Sequence, residues 1–143
     1  MVGVGEKLPT ARRAVARARL RMRPETVAAA RAGDGAKGDV GATVRLAGIM
    51  GAKRTTEVIP LCHHVALTGV TVAVAWLDEG AEILVTAETF DRTGVEMEAM
   101  TGASIAALAL YDMVKGLERG VAITEVVLLE KSGGRTGTWL REE

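Results

Sequence analysis

The stretch at residues 65–90, VALTGVTVAVAWLDEGAEILVTAETF, decides how this chain folds. Its first half, residues 65–77, alternates through Val70, Val72, Val74 and Trp76, the two-residue period of a strand with one buried face. Asp78-Glu79-Gly80 supplies a turn and Ile83 to Phe90 returns as a second strand, so the segment predicts a β-hairpin. On its N-terminal side, Pro60 breaks the chain into an irregular turn. Before that turn Val40, Val44, Ala47 and Gly51 recur at helical spacing, which predicts a helix from an N-cap at Asp39 to about Thr56. Each glycine inside that helix is unfavourable by about 1 kcal/mol relative to alanine, a cost met only where another backbone packs closely. Further out, Ala16, Ala18, Leu20 and Met22 alternate with Arg17, Arg19 and Arg21, a strand over 16–22. Pro24 suits the start of a short helix that Gly33 can end in the left-handed conformation. Beyond the hairpin, a long helix is predicted from about Val95 to Arg119 with Gly120 as its stop, then a strand over Ile123–Leu129. Strand, helices, hairpin, helix, strand is the order of an α+β, ferredoxin-like fold, an antiparallel sheet with helices packed on one face. The whole of 1–143 reads as one domain, with no internal repeat or linker.

Composition narrows the functional classes. A hydrophobic content of 48% against 25% charged residues excludes a disordered segment. Only 3% of residues are aromatic, so the core is built from small aliphatic side chains, and an oligomer that buries further surface is expected. A formal net charge of zero argues against a general nucleic-acid binder, while local basic clusters can still hold one small anion. The single cysteine forms no internal disulfide, the N-terminus has no apolar signal segment, and no apolar run reaches about 18 residues. A cytoplasmic protein that does not cross a membrane is expected.

Several polar residues stand out, each with a structural and a chemical reading. Cys62 and His63 follow Pro60 next to His64. They read as a thiolate–imidazole pair, as two metal ligands, or as a buried cysteine beside a hydrogen-bonded histidine; no further Cys or His completes a tetrahedral zinc set. Thr93-Gly94-Val95-Glu96 fits a capping box in which Glu96 returns to the N-cap backbone. Glu98 lies about 200° from Glu96 around a regular helix, so both face one pocket only if Glu96 is still in an extended lead-in. Asp112 and Lys115, three apart, read as an exposed ion pair or as an acid/base group with its charge partner. Lys37, in the loop before Asp39, is either solvated or part of an anion site at a helix N-terminus. Lys131-Ser132-Gly133-Gly134-Arg135 is either a mobile tail or a glycine turn whose amides and cations approach phosphate. Arg12 and Lys53-Arg54 could add to a cationic lining.

Runs along nearly the whole chain resemble the MoaC family: Arg12-Arg13-Ala14-Val15-Ala16, Lys37-Gly38-Asp39-Val40, Ala52-Lys53-Arg54-Thr55, Ile59-Pro60-Leu61-Cys62-His63, Thr93-Gly94-Val95-Glu96-Met97-Glu98-Ala99, Tyr111-Asp112-Met113 and Lys131-Ser132-Gly133-Gly134. They occur in the family's order. His64 departs from it, standing where the family usually has proline. The resemblance implies the same ferredoxin-like fold and a lyase of molybdenum cofactor biosynthesis. Its substrate would be 3′,8-cyclo-7,8-dihydro-GTP, made by an upstream radical-SAM GTP cyclase and converted to cyclic pyranopterin monophosphate with loss of pyrophosphate. It further implies Lys37 and Lys115 as acid/base groups with Asp112 supporting Lys115. Glu96, Glu98 and His63 would hold the base or pterin, Met97 and Cys62 would line the same pocket, and Arg12, Lys53 and Lys131 would bind phosphates. No cofactor is implied, although a divalent metal can accompany the triphosphate. A non-catalytic nucleotide-binding scaffold and a metal-dependent hydrolase using Cys62, His63 and His64 are the rival readings.

Glu98 and Asp112 lie fourteen residues apart, about 21 Å along one helix, too far to act at one centre. A site shared between subunits is therefore expected, in keeping with the family's hexamer, a trimer of dimers. Inactive variants at Lys37 and Lys115 are expected to complement each other if those lysines reach one pocket from different chains.

Overall fold

The computed structural model describes residues 1–143. The elements are β1 (Thr10–Arg21), α1 (Pro24–Ala32), α2 (Val40–Lys53), a short α3 (Thr55–Val58), β2 (Leu67–Leu77), β3 (Gly80–Asp91), α4 (Glu96–Val114), β4 (Ala122–Ser132) and a two-residue β5 (Trp139–Leu140). All neighbouring strands are antiparallel, in the spatial order β2-β3-β1-β4-β5. The hairpin thus lies beside β1, and β4 closes on the other side of β1, which is the ferredoxin-like arrangement. Helices α2 and α4 pack together on one face of the sheet, α4 over β1, β3 and β4 and α2 over β2.

Alternation holds where it was read. Val72 pairs with Val85 and Val74 with Ile83, while Ala14, Ala16 and Ala18 of β1 are fully buried beneath the helices. These alanines let α4 sit close to the sheet. The helices approach each other just as closely: a Cβ added at Gly102 of α4 would come 3.0 Å from the Gly48 carbonyl oxygen of α2. Within α2, an added Cβ at Gly48 would come 2.8 Å from Val72 Cγ2 and one at Gly51 2.8 Å from Ile105 Cβ, which accounts for glycine there despite its low helix propensity. The other face of β1 carries ion pairs. Arg17 is buried there, held by Glu125 at 2.8 Å and by Glu143.

Several boundaries differ from the sequence reading. Asp39 caps α2, accepting a hydrogen bond from the Ala42 N–H at 3.0 Å. The helix stops at Lys53, however, and restarts as α3, because Arg54 leaves helical geometry at φ −111°. Gly33 ends α1 in the left-handed region as expected. By contrast, α4 ends at Val114, five residues before the expected end, and turns follow before Gly120. Lys115 is thereby placed on the C-cap rather than within the helix. Strand β1 begins at Thr10, ahead of its strict alternation, because β3 supplies partners from Thr10 and β4 from Arg13. β5 was not anticipated from the sequence.

Candidate active site

Two clusters of charged residues form at opposite ends of α4. At the C-terminal end, the Lys37 ammonium lies 3.1 Å from Asp112 Oδ2 and donates to the Asp112 carbonyl at 3.0 Å, while Lys115 lies 2.8 Å from Oδ1. Each carboxylate oxygen therefore takes one lysine. Hydrogen bonds from both, with Lys115 the stronger influence, hold Asp112 below the usual carboxylate range. The same contact raises Lys115 and keeps it an ammonium. All three side chains are about half exposed, beside a cleft of about 490 Å³ between the 34–38 loop and the turn after α4.

The loop reaches Asp112 because α1 is tied to that turn. Glu118 accepts from the Arg23 N–H and from the Thr26 hydroxyl, both at 2.8 Å, and Arg23 donates to the Leu117 carbonyl. Lys37 and Lys115 thus meet within one chain, around one carboxylate. This corrects the expectation of complementation between variants at these two positions.

The second cluster lies at the start of α4. Lys131 is 2.5 Å from Glu96 Oε1, and the charge of Arg12 also acts on Glu96. Burial would raise this carboxyl; the hydrogen bonds from Lys131 and from its own backbone N–H, with the Lys131 and Arg12 charges, outweigh it and hold Glu96 below its usual value. Lys131 faces the helix only because of a bulge in β4. Leu128 pairs with Ala16 on the helix side, yet the next pairs are Glu130 with Val15 and Lys131 with Ala14. The extra residue shifts the alternation by one and turns Lys131 toward α4.

The capping box does not form: Val95 is the N-cap and no side chain caps the helix. Nor is Glu96 in an extended lead-in; it is the first helical residue, so the condition set by regular helix geometry does not hold, yet the charges of both glutamates still act on Cys62. The Glu96 carboxylate instead folds back over Gly94, where an added Cβ would lie 2.0 Å from Oε2. A side chain at position 94 would displace it, a role for this glycine that sequence reading did not assign. Lys131 adds the attraction of a full positive charge at 2.5 Å, which a backbone N–H at the N-cap does not supply to the half-buried Glu96 carboxylate.

Glu98 is 3% exposed and its Oε2 has no hydrogen-bond partner. Desolvation, with a smaller push from Glu96, drives its carboxyl up to about 7 against a bond from its own backbone N–H. Burial first, then the charges of Glu98 and Glu96, raises the Cys62 thiol as well, so Cys62 is a neutral thiol. That is the reverse of the electropositive setting that activates a nucleophilic cysteine.

The shift at Glu98 carries a stability prediction. A folded value above the unfolded 4.5 means that the folded state holds the proton more tightly. Its stability is full below pH 4.5 and declines as pH rises through about 7. Relative to Glu98→Gln, which cannot titrate, wild type should lose about 3 kcal/mol over that interval. Denaturant unfolding of both proteins from pH 4 to 8 measures it, and parallel curves would mean that Glu98 is already ionised in the folded chain.

The remaining candidates lie outside these contacts. Lys53 is exposed at the end of α2, lining a shallow cleft of about 330 Å³ with His64. His63 is half-buried and makes no side-chain hydrogen bond; its carbonyl accepts from the Cys62 thiol at 3.7 Å. Met97 is 37% exposed between the two glutamates. No three His, Cys, Asp or Glu side chains come together as a metal-ligand set within the chain. No helix is long and apolar enough to cross a membrane.

Residues 1–134 match the MoaC family. The chain is 54% identical, over its full length and 87% of the relative's, to the cyclic pyranopterin monophosphate synthase of Thermomicrobium roseum. It is 50% identical to that of Novosphingobium aromaticivorans and 52% identical to that of Pelobacter propionicus, in both cases over its full length and 91% of the relative's. Half of all residues are thus shared along the whole fold, and on that ground the chain belongs to the MoaC family.

Proposed function

We infer that the chain is a cyclic pyranopterin monophosphate synthase, a lyase of molybdenum cofactor biosynthesis. The observation that carries this is identity of 50–54% over the full chain with relatives of that name. Its substrate in this reading is 3′,8-cyclo-7,8-dihydro-GTP, supplied in the cytoplasm by a radical-SAM GTP cyclase. Incubation with that compound, followed by assay for a pterin product, is the direct test.

The two clusters divide the work. Rearranging a guanine–ribose skeleton requires proton transfers, and a triphosphate requires cations around it. Lys115, kept protonated by Asp112, suits an acid or an electrostatic clamp better than a base. Lys37 shares the same carboxylate and moves protons beside it. At the other end, the unpartnered Glu98 oxygen suits the N–H donors of a guanine edge, with Glu96, His63 and Met97 around the ring. Arg12 and Lys131 take phosphates, with Lys53 further out. No cofactor is needed, and a divalent cation can enter with the triphosphate.

The clusters are about 21 Å apart along α4, so one chain cannot close both on the same atoms. A dimer in which α4 of each subunit runs antiparallel to its partner's joins the first cluster of one chain to the second of the other. A two-fold axis level with Ile105, midway between Glu98 and Asp112, does this. Ile105 and Leu108 are exposed and apolar on that outer stretch of the helix. Three such dimers make the family's hexamer.

In this pocket Cys62 is a lining thiol. Cys62→Ser should therefore keep activity within about tenfold, while His63→Ala should lose about 10²-fold as a polar contact to the reacting ring is removed. Steady-state assays rank the two, and a folded but inactive Cys62→Ser protein would contradict the assignment.

A further inference from the structure

The nine-residue α1 buries only Thr26, Val27 and Ala30, and so short a helix is marginal on its own. Its N-cap residue, Arg23, supplies no capping side chain. The cap comes instead from Glu118, in the turn after α4. One carboxylate oxygen, Oε1, accepts from the Arg23 N–H and from the Thr26 hydroxyl and lies 3.4 Å from the Arg23 guanidinium. Glu118 thus does at the first turn of α1 what an N-cap aspartate or serine ordinarily does, and its negative charge suits the positive end of the helix.

The turn faces α1 with this one side chain. Lys115, Gly116, Leu117 and Arg119 are exposed, whereas the Glu118 side chain is only 13% exposed. The turn is in its own right fixed to the end of α4. The Leu117 and Glu118 N–H groups donate to the Val114 carbonyl at 2.9 and 3.1 Å, and the Tyr111 hydroxyl donates to the Arg119 carbonyl at 2.9 Å. The bond from the Arg23 N–H, helped by Thr26 and the Arg23 guanidinium, outweighs desolvation and holds Glu118 below the usual carboxylate range, so it stays ionised at neutral pH. An anchored turn and a capped α1 together support the 34–38 loop, which carries Lys37 and begins where α1 ends.

We propose that Glu118 is a positioning residue for the acid/base cluster: by fixing the direction of α1 it sets Lys37 against the Asp112 carboxylate, without touching substrate. The role rests on the synthase reading only for its effect on turnover, since the contact it sets up lies within the chain. Lys115 needs no such support, because it reaches Asp112 from three residues away along the same segment. Glu118 therefore acts on one lysine of the pair and not on the other.

That asymmetry supplies the test. A water-soluble carbodiimide joins a carboxylate to an amine in contact with it, and peptide mass spectrometry of the full chain reads the Lys37–Asp112 and Lys115–Asp112 cross-links side by side. In Glu118→Ala the first should fall several-fold relative to the second. Glu118→Gln, whose amide oxygen still accepts both hydrogen bonds, should keep the wild-type ratio. Thr26→Val, close to isosteric at a buried position, should shift the ratio the same way by less, and it serves if Glu118→Ala does not fold. In turnover, Glu118→Ala should lower kcat by about tenfold to a hundredfold with KM unchanged, and should cost nothing further when added to Lys37→Ala. A ratio unmoved in the folded variants, equal loss of both cross-links, or a Glu118→Gln protein as impaired as Glu118→Ala would each overturn the role. A ratio that shifts as described in a chain that makes no pterin would retain the role and refute the activity. Pterin formation with kcat indifferent to Glu118→Ala would do the opposite.

Discussion

Lys115→Ala and Lys37→Ala are each expected to reduce turnover by about 10²–10⁴-fold while leaving the fold intact. Both side chains are about half exposed and neither belongs to the core, so their removal leaves no cavity. What each takes away is a positioned ammonium on the Asp112 carboxylate. Lys115→Arg distinguishes charge from proton transfer: arginine keeps the charge but cannot release its proton near neutral pH, so a clamp survives the change and an acid does not. Far-ultraviolet circular dichroism and single-turnover assays with 3′,8-cyclo-7,8-dihydro-GTP are the measurements. A loss below about tenfold in both alanine variants, with pterin still formed, would remove these lysines from the chemistry.

Mixing Lys115→Ala with Glu96→Gln subunits should restore activity to about one quarter of wild type. If each pocket takes its lysine cluster from one chain and its glutamate cluster from the other, a mixed dimer has one doubly damaged pocket and one undamaged pocket. Random exchange makes half of the dimers mixed, hence the quarter. Mixing Lys115→Ala with Lys37→Ala should restore nothing, because both substitutions strike the same cluster and every pocket keeps one of them. The pair of experiments gives opposite results for a shared and an unshared site. Recovery in the second mixture, or none in the first despite demonstrated exchange, would show that the site is assembled otherwise. The physical basis is already in the single chain: Asp112 gathers both lysines, and α4 is too rigid to bring Glu98 to them.

Much of this molecule was legible in its sequence because the relevant interactions are local. The alternation of Val70, Val72, Val74 and Trp76 is a property of neighbouring residues, as are the Asp39 cap and the left-handed Gly33. Their order along the chain leads to the sheet order β2-β3-β1-β4 and to one helical face. The MoaC runs named the candidate residues for the same reason, since each is short and contiguous. Helix ends were less legible, because α2 and α4 have no strong stop of their own and end where turns are held by distant partners.

Only tertiary structure decided how the candidates group. Lys37 joins Asp112 across 75 residues through α1 and its Glu118 tether, a long-range constraint with no local pattern. The bulge that turns Lys131 inward exists only in the pairing of β4 with β1, and it took Glu96 away from the capping box that its spacing favoured. Burial of Glu98 is likewise a property of the assembled fold: spacing places the residue on a helix, but only packing removes its water and raises its proton affinity. The sequence by itself determined the elements, their order and the family, because those follow from near-neighbour sterics, hydrophobic period and short motifs. The tertiary structure decided which charges meet, because electrostatic contacts and desolvation depend on distances in space that the chain order does not contain.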